Sequence, residues 1–341
     1  MPAMDGPHQY IERRSGRVVD EKPLADRVVN LLYSRVKENA RPLFNALIGR
    51  RVSSALGFWN YDTLLASKLK PTPELFAAYG ADPAECLEDP TSLDTPRQVF
   101  ERKIRYWQCR PMPEETGAVV SPADSRVILG SLAEQNLLFL KGKFFDLAEL
   151  LGGRKTRWRN AFDQGDFAVF RLTPDKYHWV HTPVAGRVLD FYELAGRFHS
   201  CNPTATVAEL TPLSKNKRGV TILDTDQLGG SGAGLVALVE VAALMVGDIV
   251  QSYCDEQYEN PRQAAPGMFL QKGLPKALFR PGGSTVVLLF QKGRFAPDQD
   301  LLCNQTAAHV NSRFSAGFGR SLVETELRVR ERIGLAQGEG K

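Results

Sequence analysis

Apolar and polar positions follow two different rhythms in this chain. Between Arg27 and Arg51, Val28, Leu32 and Val36 recur every four positions with Val29, Tyr33 and Ala40 beside them. That spacing gives an amphipathic helix, broken near Pro42. The segments YDTLLASKLK, TPELFAAYGA and TPRQVFERKIRYW continue a mostly helical pattern up to about Arg110. In the last of them Thr95 stands where a cap belongs and Pro96 at a first helical turn. From Pro111 the pattern becomes short apolar runs bounded by Gly, Pro, Asn and Asp. These are GAVVSPADSRVILGSL, DFAVFRLTP, GRVLDF, RGVTILDTD, GLVALVEVAAL and GSTVVLLF. Runs of that length read as strands of a β-rich, sandwich or barrel-like core. One helix interrupts them, FFDLAELLGG, closed by Gly152 and Gly153. The C-terminal SLVETELRVRERIG reads as a final helix, or as an edge strand followed by a helix. The fold class expected is α+β, with a helical N-terminal region over residues 1–110 and a β-rich core over 111–341.

Composition narrows the class. The chain has 341 residues, 43% apolar and 24% charged, enough for one large domain or two ordinary ones. The longest apolar run, GLVALVEVAALMVGDIV, is interrupted by Glu240 and Asp248. A membrane-spanning helix needs about 20 uninterrupted apolar residues, so buried strands are the better reading. The first residues, MPAMDGPHQYIERRSGRVVDEK, lack the apolar core of a secretory signal. Five cysteines with no close pair fit a reducing, cytoplasmic compartment and no metal cage. A net charge of +4 is too small to imply nucleic acid. Its distribution says more, because Arg27, Arg35, Lys37, Arg41, Arg50 and Arg51 face only Glu38 in their stretch. A basic amphipathic helix either packs on its own domain or rests on an anionic membrane surface.

Three places carry candidate chemistry. In FRPGGSTVVLLF, Val286 to Phe290 form a strand, and Gly282 and Gly283 either turn the chain or clear space around Ser284. In RLTPDKYHWVHTPVAG, His178 and His181 are three apart, which on a strand points them to opposite faces. With no HExxH pattern and no neighbouring cysteine, no metal site is expected there. Two histidines so placed suit two separate acid–base tasks, or are hydrogen-bonded core residues. Asp124, in VVSPADSRV, either bonds its own turn or joins a histidine and Ser284 in an Asp–His–Ser relay.

The order of motifs from Leu43 to Phe290 resembles the phosphatidylserine decarboxylase family. RQVFERKIRYWQCRPMP is similar to the family's segment before the core, VVSPADSRV to its Ser-Pro-x-Asp-Gly turn, and KGKFFDLAELLGG to its Lys-Gly segment. RLTPDKYHWVHTPVAG resembles its Tyr-His-x-x-His-x-Pro stretch. CNPTA, KNKRGVTILDTD and LVALVEVAALMVGDI follow in the family's order, and KGLPKALFRPGGSTVVLLF holds the position of its Gly-Ser-Thr maturation motif. The resemblance implies a proenzyme that cuts itself between Gly283 and Ser284, leaving a β chain of residues 1–283 and an α chain of 284–341. It implies that the Ser284 hydroxyl attacks the preceding carbonyl, and that the resulting ester eliminates and hydrolyses to a pyruvoyl group. It assigns His181 as base for this step, oriented by Asp124, and His178 to decarboxylation. The pyruvoyl cofactor would then condense with the substrate amine and accept the electrons released as carbon dioxide leaves.

Ser125, Trp179, Ala277 and Pro281 depart from the family's usual residues. The expected reaction converts phosphatidylserine in an anionic membrane surface to phosphatidylethanolamine, by a peripherally attached homo-oligomer. A free amino acid such as tryptophan is the alternative substrate. A serine hydrolase is more distant, since no Gly-x-Ser-x-Gly surrounds Ser284, and so is a non-catalytic β-rich binding module.

Overall fold

The computed structural model describes residues 8–21, 72–133, 144–243 and 248–338. The basic stretch from Arg27 to Arg51 and the YDTLLASKLK segment lie outside these residues. The strands are β1 (His8–Glu12), β2 (Val18–Glu21), β3 (Ala118–Val120), β4 (Ser125–Ser131), β5 (Asp166–Leu172), β6 (Trp179–His181), β7 (Gly186–Leu194) and β8 (Arg218–Asp224). They continue with β9 (Leu235–Ala242), β10 (Ile249–Gln251), β11 (Phe269–Leu270), β12 (Pro275–Phe279), β13 (Ser284–Phe290), β14 (Phe295–Pro297), β15 (Thr325–Leu327) and β16 (Arg332–Ala336). The helices are short: α1 (Thr72–Ala78), α2 (Pro96–Glu101), α3 (Tyr106–Cys109), α4 (Leu147–Leu151), α5 (Thr156–Phe162), α6 (Pro203–Ala208), α7 (Pro212–Lys215), α8 (Gln299–Gln305) and α9 (Arg313–Phe318).

A ten-stranded sheet in the order β11-β7-β8-β9-β13-β5-β4-β15-β1-β2 forms the middle layer. β13 lies between β9 and β5, antiparallel to both, with all seven of its residues buried. Its alternation divides the core. Val286, Leu288 and Phe290 pack with Val180, Ala277, Phe279 and Ile333 on one side. Val287 and Leu289 pack with Leu150, Trp158, Phe162, Val207, Leu213 and Phe314 on the other. Helices α4, α5, α6, α7 and α9 therefore cover one face. The two three-stranded sheets, β10-β12-β6 and β14-β16-β3, cover the other. A strand buried on both faces needs continuous apolar residues, which explains why VVLLF has no polar alternation.

The α+β class is as expected, and so are the strands of the core. Local sequence also sets α2: Thr95 accepts from the Gln98 amide while the Gln98 side chain reaches back, a complete capping box. Two expectations fail at the ends. Residues 8–21, within the stretch read as helical, form the paired strands β1 and β2. The C-terminal segment forms β15 and β16, with no helix between or after them among the described residues. β15 enters the large sheet between β4 and β1, so its short polar sequence is completed by partners that local pattern does not reveal.

Those ends are tied to the core by a buried ionic cluster. Arg171 of β5 bridges Glu21 of β2 and Glu324, with oxygens at 2.6 and 2.5 Å, and Arg126 of β4 reaches Glu21 at 2.5 Å. His8 accepts the Arg313 amide at Nδ1, so its Nε2 carries the proton that meets Glu324 at 2.8 Å. Among the described residues His8, Glu21 and Glu324 alone have the spacing of a cation site, and these carboxylates hold guanidinium groups. A second buried pair, Lys276 with Glu240, joins β12 to β9 with neither side chain exposed.

Candidate active site

The site forms where β12 turns into β13. β12 runs antiparallel to β6, so Leu278 opposes Trp179 and the Phe279 amide bonds the His178 carbonyl at 3.1 Å. Four residues, Arg280 to Gly283, then connect β12 to Ser284, the first residue of β13. Topology therefore delivers His178 to the head of β13. Its Nδ1 lies 3.3 Å from Ser284 Oγ. The other nitrogen, Nε2, lies 3.1 Å from the Thr173 carbonyl. A carbonyl only accepts, so Nε2 bears the proton and Nδ1 offers its lone pair to the serine. Phe100 of α2 stacks on the imidazole at 3.8 Å between centroids, 22° from parallel. Burial, reinforced by the charge of Arg102, pushes the His178 pKa down to about 3, so the ring is neutral at ordinary pH.

His181 occupies a different place. It opposes Pro275 in the β6–β12 pairing, three residues along from His178, a separation of roughly 10 Å along a strand. Its Nδ1 lies 2.9 Å from the Gly273 carbonyl and its Nε2 3.0 Å from the Tyr177 hydroxyl. Tyr177 continues at 2.7 Å to Tyr258, whose oxygen accepts the Ile104 amide at 3.1 Å. Both ring nitrogens are thus engaged away from Ser284. Burial also lowers this imidazole's pKa to about 3.

Asp124 is gripped by Arg110 through two bonds, 3.0 and 2.7 Å, and accepts the Val329 amide at 2.7 Å. Burial would raise its pKa, but the guanidinium holds it below the usual carboxylate range. It bonds neither imidazole among the described residues, so the expected Asp124–His181 contact is absent. The structure joins Ser284 to His178 where the resemblance had assigned His181 to that step. Asp124 precedes β4 and His181 ends β6, and among the described residues neither hydrogen-bonds Ser284.

The two glycines act differently. Gly282 has φ of 138°, a region that disfavours any side chain. A Cβ on Gly283 would lie 2.6 Å from Cys201 Sγ. The Gly283 carbonyl, the one preceding Ser284, accepts the Ala243 amide at 3.1 Å. Phe100, Arg110, Tyr258 and the Ala243 amide were not singled out from sequence. Arg110 had a signal, since a buried Asp needs a cation. A main-chain amide leaves none.

Comparison with known proteins puts the chain among the decarboxylases. It belongs to the phosphatidylserine decarboxylase family, whose model matches residues 97–315, more than half of the chain. A phosphatidylserine decarboxylase proenzyme of Bordetella petrii is 37% identical over 229 residues, 63% of this chain and 76% of that one. One from Chlamydia trachomatis is 28% identical over 331 residues, covering 95% and 96% of the two chains. A phosphatidylserine decarboxylase proenzyme 2 of Komagataella phaffii is 29% identical over 300 residues, 86% of this chain and 28% of the longer protein. The chain is accordingly a carboxy-lyase. Among the described residues no helix is long and apolar enough to cross a membrane.

Proposed function

We propose that this chain is a proenzyme that cuts itself between Gly283 and Ser284 and then converts phosphatidylserine to phosphatidylethanolamine. The observation that carries the reading is the 3.3 Å approach of neutral His178 Nδ1 to Ser284 Oγ. His178 takes the hydroxyl proton, and the oxygen attacks the Gly283 carbonyl carbon, turning the amide into an ester. Loss of the Ser284 α-proton expels the Gly283 carboxylate, and water and the departure of ammonia leave a ketone at residue 284. The residues fit such a group, because Ser284 heads a rigid buried strand with a base beside it and no side chain on its neighbour.

The pyruvoyl group, once formed, supplies an electron sink for the bond to the substrate carboxylate. His178, beside residue 284, would hold or return a proton there. His181, capped by Gly273 and Tyr177, acts as a positioning residue, as does Asp124 through Arg110. A lipid substrate goes with peripheral attachment to an anionic membrane surface. The test is the intact mass under denaturing conditions, paired with release of carbon dioxide from phosphatidylserine vesicles. Two fragments with a pyruvoyl mass at residue 284 and turnover on vesicles are expected. A single uncut chain would overturn the reading.

A further inference from the structure

In the proposed self-cutting His178 takes the Ser284 proton, and the attack also places negative charge on the Gly283 oxygen. We propose that the Ala243 main-chain amide is the oxyanion donor of the self-cutting step, a role that rests on the proposed maturation at Gly283–Ser284. The amide already bonds that oxygen at 3.1 Å before the attack, so a donor stands at the atom on which negative charge develops. It is fixed by the sheet. Ala242 opposes Ser284 in the β9–β13 register, so Ala243 and Gly283 form the next rung, one step past the ends of both strands. On the other side of β9, the Ala242 amide bonds the Lys217 carbonyl at 2.9 Å, holding this strand end from its second edge. As a hydrogen bond it is what any antiparallel pair makes. Its chemistry comes from the acceptor, the carbonyl of the bond to be broken.

The step balances. The Ser284 Oγ proton passes to His178 Nδ1 as the Oγ–C bond to Gly283 forms. The carbonyl π pair moves to the Gly283 oxygen and is held by the Ala243 N–H. The C=O bond then re-forms, the C–N bond breaks, and the His178 proton goes to the Ser284 nitrogen. No oxidant, reductant or metal enters. Ala243 and Gly283 are both small: Ala243 is buried, and its Cβ is 3.8 Å from the Cβ position of Gly283. The two residues that carry donor and acceptor are thus in van der Waals contact at the strand ends.

The test replaces Ala243 in the full chain by lactic acid, which exchanges N–H for oxygen and keeps the methyl group. The control makes the same exchange at Val241, opposite Thr285 two residues back on this ladder, using 2-hydroxyisovaleric acid. Fragment appearance is followed by mass after refolding. The Ala243 ester is expected to cut about 10²- to 10³-fold more slowly, with the Val241 ester close to the parent. Equal slowing by both esters, or no slowing at Ala243, overturns the proposal. A parent chain that never cuts overturns the maturation reading and this role together. Thermal unfolding of both esters on a Ser284→Ala background separates lost stability from lost chemistry.

Discussion

His178 Nδ1 lies 3.3 Å from Ser284 Oγ, and no hydrogen bond joins His181 to that serine among the described residues. His178→Ala is therefore expected to slow self-cutting by about 10²- to 10⁴-fold, the usual range for a positioned base. Ser284→Ala should abolish it. His181→Ala should slow it less, through loss of support. Fragment ratios on a denaturing gel decide this, and rapid cutting by His178→Ala would sink the assignment.

Both histidines make stability depend on acid. Unfolded, each imidazole takes a proton near pH 6.5, but in the fold burial delays this to about 3. Above pH 6.5 neither state binds the protons, and the stabilising neutral forms contribute fully. Below it the unfolded chain binds protons that the folded chain does not, so stability falls as pH drops towards 3. The slope is about 1.4 kcal/mol per pH unit for each group. Urea unfolding of uncuttable Ser284→Ala between pH 7 and 5 checks this. A flat response would show that the two rings are not buried neutral.

Gly283 has Cys201 Sγ where a methyl group would go. Gly283→Ala should block cutting by displacing the carbonyl from Ala243 and Ser284. The double variant Gly283→Ala with Cys201→Gly opens the space and should recover much of the rate. No recovery, measured by the same fragment assay, would place the glycine's importance elsewhere.

The Lys276–Glu240 pair is fully enclosed between β12 and β9. Lys276→Met leaves a carboxylate buried without its cation, and is expected to cost about 3–5 kcal/mol in urea unfolding. Lys276→Met with Glu240→Leu removes both charges and should cost much less. Equal losses in the two variants would mean that shape rather than charge sets the penalty.

How much of this was legible depended on the range of the interaction. β13 was readable because a strand buried on both faces writes itself as an apolar run. Ser284, His178, His181 and Asp124 stood out by residue type and motif order. Which histidine meets Ser284 was not readable, because it follows from β12 pairing with β6 in one register. β1 was missed, and β15 stood only as one of two readings, for the same reason, since each is stabilised by a partner hundreds of residues away. Tyr258 looks like any buried tyrosine until the Ile104 amide and Tyr177 are seen on its oxygen.

The position of β13 in the middle of the sheet has a consequence for quality control. The approach of His178 to Ser284 requires β12 to be paired with β6, and the Ala243–Gly283 bond requires β9 beside β13. On the proposed chemistry, a chain that has not assembled these layers keeps its serine and stays inert. Scission is then a folding checkpoint, and the new ketone marks a molecule that has passed it.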